Sequence, residues 1–215
     1  YIINRAGFAG IQRYAQVWGG DNYSAWKTLK FNIATIMGMG LSGCANMGCD
    51  IGGFAGPAPE GELLLRWIQN GIFQPRFVIN SANNDNTVTQ PWQCEEDLPY
   101  VREAYALRYR MLPYLYSLMR EANTKGTPAM RPLFLEFPED LACYSDQNMT
   151  FMFGPSVLVA NVIEQGATTR TLYLPKGTKW YHMNDFMREY EGGQTITIPV
   201  DRGSIPMFLR GNGIF

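Results

Sequence analysis

The hydrophobic period of this chain changes once, near Pro138, and that change constrains its architecture more than any single residue does. Upstream, short apolar runs alternate with helical patterns. "YIIN" at the start reads as a short buried strand, and "RAGFAG" as the loop leaving it. A helix is expected from about Ser24, a residue suited to an N-cap. Trp26, Leu29, Ile33, Ile36 and Met37 recur at helical spacing, and Gly38 and Gly40 are expected to end it. "LSGCANMGCDIGGF" reads as a strand and a glycine-rich turn, Glu62 to Asn70 as a helix with Leu63, Leu64, Trp67 and Ile68 inward, and "PRFVIN" as a third strand. After the polar loop "SANNDNTVTQPW", a long amphipathic helix is expected over about Leu98 to Asn123. Its stripe is Val101, Tyr105, Met111, Leu112, Leu115, Leu118 and Met119, and Pro113 should bend or break it.

Strand and helix in alternation are the grammar of a parallel sheet with crossover helices, open or closed into a barrel. Downstream of Pro138, "MTFMFGPSVLVANVI", "TRTLYLP", "KWYHMN", "QTITIPV" and "IPMFLRG" are short β-rich runs between Gly, Pro and Asp turns, an antiparallel, sandwich-like pattern. The expected organisation is an α/β domain over residues 1–138 followed by an all-β domain over 139–215.

The bulk properties exclude several classes. A formal net charge of -1, with no basic run, gives no reason to expect nucleic acid or an anionic membrane as partner. No apolar run is long enough to span a bilayer. Cys44, Cys49, Cys94 and Cys143 form no C-x-x-C pair, and the single histidine, His182, is remote from them. Neither a metal site nor Cys-His catalysis is expected, no cofactor is implied, and the thiols read as free and buried, with a disulfide left open. The chain opens on an apolar segment without methionine and reads like the middle of a protein. The compartment is therefore not fixed, with a cytoplasmic one favoured, and the oligomeric state is left open.

Polar groups placed just after strands are the candidates for function, because α/β barrels build their sites there. Arg5 and the loop to Asp21 follow the first predicted strand, Asp50 the second and Asn80 the third. Each has an ordinary reading as well. Asp21 suits the N-terminus of the next helix, Asp50 an Asx-turn, Arg5 a structural ion pair and Asn80 local backbone bonding. Trp18 and Trp26 suit a core, Trp26 by its helical spacing.

"RAGFAGIQRYAQVWGGDNYSAW", "GCDIGGF" and "YALRYRMLPYLYSL" resemble, in sequence, order and spacing, the motifs of glycoside hydrolase family 31, the α-glucosidases and α-xylosidases. "FMFGPSVLVANVIEQGATTRTLYLPKGTKWY" looks like that family's proximal β-domain. The resemblance covers nearly the whole chain. It implies the last portion of a (β/α)8 barrel, then part of a β-sandwich domain, and an oligosaccharide or glycoside as substrate. It further implies that Asp21 is the general acid/base, that Arg5 and Asn80 bond sugar hydroxyls, and that Trp18, Asp50 and Phe54 line the sugar subsite.

Two features depart from the family pattern. Asn80 stands where the family commonly has a histidine. The nucleophilic aspartate belongs to a W-x-D-M-N-E-type motif that these residues do not contain; "HMND" at Asp185 lies in the β-rich region, in an expected turn. A retaining mechanism needs two carboxyl groups about 5–5.5 Å apart. The chain is thus expected to hold one of the pair and to be inactive alone. An α-xylosidase, a transglycosylase or lyase of the family, and a non-catalytic sugar-binding relative are the alternatives to an α-glucosidase.

Overall fold

The computed structural model describes residues 2–145 and 149–215, and these form two compact units, Tyr1–Ala129 and Met130–Phe215. The division falls ahead of the change of period at Pro138. The reason is β4 (Met130–Pro132), which pairs antiparallel with β5 (Phe151–Phe153) and so joins the second unit. Pro132 masks β4 as a strand in the sequence. It is tolerated because β4 is the edge of its sheet, where a missing N–H breaks no ladder.

In the first unit, β1 (Ile3–Asn4), β2 (Gln16–Trp18) and β3 (Met47–Gly48) form a parallel sheet in that order. The strand expected at "YIIN" is therefore present, although Tyr1 lies outside the described residues. It is not buried: Ile2 and Ile3 are exposed, since β1 has a described neighbour on one side only. The third expected strand, "PRFVIN", is reduced to a single parallel bridge between Asp50 and Val78. β2 was not anticipated. It divides the segment between Arg5 and Asp21, so that Arg5 follows β1 and Asp21 follows β2.

Three helices accompany the sheet. α1 (Trp26–Leu41) buries Leu29, Ile33 and Ile36, while Trp26 and Met37 are only half-buried. Its N-cap is Ala25 rather than Ser24, and it runs through Gly38 and Gly40. α2 (Gly61–Gly71) buries Leu63, Leu64, Trp67 and Ile68 as expected. α3 (Leu98–Lys125) is not interrupted by Pro113. Pro113 lies on the solvent face next to exposed Tyr109, whose carbonyl loses its helical partner there and can turn to water instead. Of the expected stripe, Val101, Met111, Leu115 and Leu118 are buried and Leu112 is exposed. Arg108, inside the "RYRMLPY" segment, donates to the carbonyls of Ile72, Gln74 and Pro75 at 2.6, 2.8 and 3.2 Å. It thereby fastens α3 to the turn after α2. Burial lowers its pKa to about 10.

The second unit contains a six-stranded sheet of order β4-β5-β6-β11-β8-β9 and a two-stranded sheet of β7 and β10, with every pairing antiparallel. The strands after β5 are β6 (Val157–Val159), β7 (Thr169–Leu174), β8 (Lys179–His182), β9 (Asp185–Glu191), β10 (Gln194–Pro199) and β11 (Met207–Arg210). β9 is the one long strand the sequence pattern did not reveal, and Asp185 opens it. One core serves both sheets: Met152, Leu158, Trp180 and Phe208 pack with Leu172, Leu174 and Ile198 and with Leu133 of the short helix α4 (Leu133–Glu136). Asp140 ties the surrounding loops together. Its Oδ2 accepts from the Tyr173 hydroxyl at 2.8 Å and from the Lys176 amide at 2.9 Å. None of the four cysteines forms a disulfide; Cys49 and Cys143 are buried and Cys44 and Cys94 half-buried.

Candidate functional site

The carboxyl ends of the first unit's strands carry the site. Arg5, just beyond β1, forms an ion pair with Asp21, just beyond β2, at 3.1 Å. Both side chains reach solvent, 60% and 40% exposed respectively. An open groove of about 470 Å³ is lined by Arg5, Trp18, Gly20 and Asp21, with Thr35 and Met39 of α1. Trp18, the last residue of β2, is half-buried beside the acid's loop.

Two glycines let that loop form. A Cβ on Gly19 would stand 2.7 Å from Cys49 Sγ, so the chain can cross over the thiol only without a side chain. Gly20 has φ +73, a left-handed conformation that favours glycine. Cys49 is fully buried, and its thiol is pushed up to about 12 by burial and by the neighbouring Asp50. It is packing, not a nucleophile.

Asp50, beyond β3, is completely buried and paired with Arg76, whose Nη2 donates to Oδ1 at 2.8 Å. Burial raises the Asp50 pKa. The hydrogen bond and charge of Arg76, and then the Asn80 amide, oppose that rise, while the negative charge of Asp21 reinforces it. Asp50 Oδ2 and Arg76 Nε and Nη1 have no hydrogen-bond partner among the described residues. The pair is therefore only partly satisfied, with polar capacity left over.

Backbone bonds join the two halves of the site. The Asn22 carbonyl accepts from the amides of Phe54 and Ala55 at 2.8 and 3.0 Å, and the Phe54 carbonyl accepts from Ala82 at 2.8 Å. The Asn22 side chain donates to the Gly19 carbonyl at 3.2 Å and closes the acid's loop. Phe54 is half-buried and Asn80 is exposed. Of the six residues singled out in the sequence, Trp18 ends β2 and the other five lie on loops around the strand ends. Sequence reasoning missed Arg76 and Asn22. An arginine opening an apolar strand-like run, and an asparagine next to a lone acid, were the available signals. Among the described residues no group of three or more His, Cys, Asp or Glu side chains is placed to hold a metal, and no helix is long and apolar enough to cross a membrane.

Parallel strands joined by helices, with charged side chains at their carboxyl ends, define an α/β class of protein that builds its site at the strand ends. The chain belongs to glycosyl hydrolase family 31. Residues 1–118 match the family's TIM-barrel domain and residues 126–215 its C-terminal domain. It is 42% identical over 215 residues to a probable glucan 1,3-alpha-glucosidase of Oryza sativa subsp. japonica, and 41% identical over 216 residues to neutral alpha-glucosidase C of Homo sapiens. Each alignment covers 100% of this chain and 23% of the relative, so the chain spans about a quarter of those proteins. A family 31 dextranase of Flavobacterium johnsoniae complexed with glucose superposes with a TM-score of 0.90 at 34% identity, over 97% of this chain and 26% of the dextranase. A cycloalternan-degrading enzyme from Trueperella pyogenes in complex with isomaltose gives 0.91 at 29% identity, over 99% and 31%.

Proposed function

We propose that this chain supplies the acid/base side of the active site of a retaining α-glucosidase that hydrolyses α-glycosidic bonds of oligosaccharides. The observation that carries the reading is Asp21 at the end of β2, in a groove beside Trp18 and paired with Arg5 at 3.1 Å. Its context is a family 31 chain whose relatives named above are α-glucosidases. Asp21 protonates the departing glycosidic oxygen and then takes the proton from water. Arg5 moves between Asp21 and a sugar hydroxyl. Trp18 and Phe54 offer apolar faces to the sugar's C–H surface and Asn80 offers a polar group to its edge, whereas Asp50, fully buried against Arg76, does not reach the sugar and supports the loop behind it. In this reading the first unit is the last portion of a (β/α)8 barrel, and the nucleophilic carboxylate comes from elsewhere in the full-length protein.

The test is hydrolysis of an α-glucosyl disaccharide by the full-length protein, followed by proton NMR of the first product formed. Release of α-glucose, with configuration retained, is expected. β-Glucose as first product, an unsaturated sugar, or binding without turnover would each overturn the reading, and xylose released in preference to glucose would redirect it to an α-xylosidase.

Asn80 is a place to look for sugar selection. It is exposed beyond the Asp50–Val78 bridge, and its amide acts on Asp50. In the full-length enzyme, Asn80→Ala is expected to raise KM by about tenfold, or to reorder gluco-, xylo- and galacto-configured substrates, because a lost polar contact changes discrimination most where the sugars differ. Unchanged kinetics across all three would reduce Asn80 to a loop residue.

A further inference from the structure

The segment leaving β2 alternates in burial: Asp21 and Tyr23 are exposed, Asn22 is half-buried and Ser24 is buried. The chain bends at Asp21, where Asn22 N–H donates to the Gly20 carbonyl at 3.0 Å, and beyond the bend Tyr23 forms a parallel bridge with Ala55. Tyr23 lies two residues beyond the acid, within about 7 Å of it along the chain. Backbone bonds hold it in place: Ser24 N–H donates to the Ala55 carbonyl at 2.8 Å, and Ala55 N–H to the Asn22 carbonyl at 3.0 Å.

The ring has a seat. Gly56 lies against it, and a Cβ there would fall 2.7 Å from Tyr23 Cζ and 2.8 Å from Cε2. Gly56 also has φ +93, so only glycine fits both the backbone and the ring. Asn84 holds the glycine in turn, its amide N–H donating to the Gly56 carbonyl at 2.8 Å. Tyr23 is nevertheless 52% exposed. It is an aromatic supported on one side and open on the other, where a scattered surface tyrosine would have no such support.

We propose that Tyr23 is the platform on which the leaving sugar of the substrate stacks. The proposal rests on Asp21 being the general acid. That acid must sit at the oxygen joining the reacting sugar to the departing one. A flat, exposed ring two residues from that acid, backed by Gly56, can meet the departing sugar's C–H face, and its phenol can bond a hydroxyl. A pre-seated tyrosine loses little conformational freedom on binding.

The experiment compares two substrates of the full-length enzyme. One is α-glucosyl fluoride, which has no leaving sugar; the other is whichever of maltose, nigerose and isomaltose it cleaves best. In Tyr23→Ala, the ratio of kcat/KM for the disaccharide to that for the fluoride is expected to fall about tenfold, with the ratio largely restored in Tyr23→Trp and Tyr23→Phe. With the fluoride as donor and added glucose as acceptor, transfer relative to hydrolysis should fall in parallel. An unchanged ratio in all three variants overturns the platform. If Tyr23→Ala fails to fold, the Trp and Phe variants decide: a ratio lowered tenfold in both, despite the retained ring, also overturns it. Wild-type enzyme inactive on the fluoride and on every disaccharide would instead overturn the glycosidase reading itself.

Discussion

Replacing Asp21 by alanine in the full-length enzyme is expected to reduce turnover of natural α-glycosides by about 10²–10⁴-fold, the usual contribution of a positioned general acid. The loss should depend on the leaving group. A sugar alkoxide needs a proton to depart, whereas fluoride or dinitrophenolate leaves with little help. The first, bond-breaking step should therefore be nearly normal for the activated substrates. The second step then becomes slow, because water has also lost its base, and glycosyl-enzyme should accumulate as a burst. Azide needs no deprotonation. Adding it should accelerate the second step and yield the α-glycosyl azide, attacked from the face that Asp21 vacated. Arg5 gives a control: it pairs with Asp21 at 3.1 Å, and Asp21→Asn keeps a polar partner for it while removing the acid. A uniform loss across leaving groups, with no response to azide, would show that Asp21 serves the loop's structure, and Asp21→Asn would then rescue activity.

How much of this was legible in the sequence depended on the range of the interaction involved. Helices of strong period were readable: α2 lies within a residue of its expected span at either end because Leu63, Leu64, Trp67 and Ile68 mark one face. Helix ends were less so. Gly38 and Gly40 each cost about 1 kcal/mol relative to alanine, yet α1 continues through both because Gly40 is itself buried and the helix is held along Leu29, Ile33 and Ile36. The parallel strands are too short to announce themselves. β2 is three residues long and is defined by its neighbours on either side, not by its own composition. In the second unit, β4 hid behind Pro132 and β9 behind the turn expected at "HMND".

The site divided along the same line. Asp21, Arg5 and Asp50 could be picked out because short motifs place them just after strands, a local property. What those side chains do to one another is not local. Asp50 meets Arg76 across 26 residues of chain, and no period or cap links the two. Two glycines, Gly19 and Gly20, stand just ahead of Asp21. In the structure, Gly19 makes room for Cys49, and Gly20 adopts a left-handed conformation against the Arg5 guanidinium. Sequence could count the small residues but not say what they stand against.

Arg76→Met in the full-length protein is expected to destabilise the barrel domain by about 3–5 kcal/mol, the cost of leaving a buried charge without its partner. Asp50 is 0% exposed and Arg76 6%, and Arg76 Nη2 donates to Asp50 Oδ1 at 2.8 Å. The effect should carry a pH signature. Burial already raises the Asp50 pKa, so the folded state binds this proton more tightly than the unfolded chain. A group of that kind contributes its stability below the unfolded carboxylate value, about 3.9, and loses it as pH rises through the folded value. Removing Arg76 takes away the main influence that lowers the folded value and moves it further up. The deficit against wild type should then be largest at neutral pH and shrink as the solution is acidified and Asp50 becomes neutral. Methionine keeps most of the arginine's length, so a deficit due to packing alone would not change with pH. Adding Asp50→Asn to Arg76→Met removes the stranded charge and should recover most of the neutral-pH stability. Calorimetric melts of the wild type, both single variants and the double variant, at acid and at neutral pH, close the cycle. Equal deficits at both pH values, with no recovery in the double variant, would mean that the pair acts through shape and that Asp50 does not need its counter-charge.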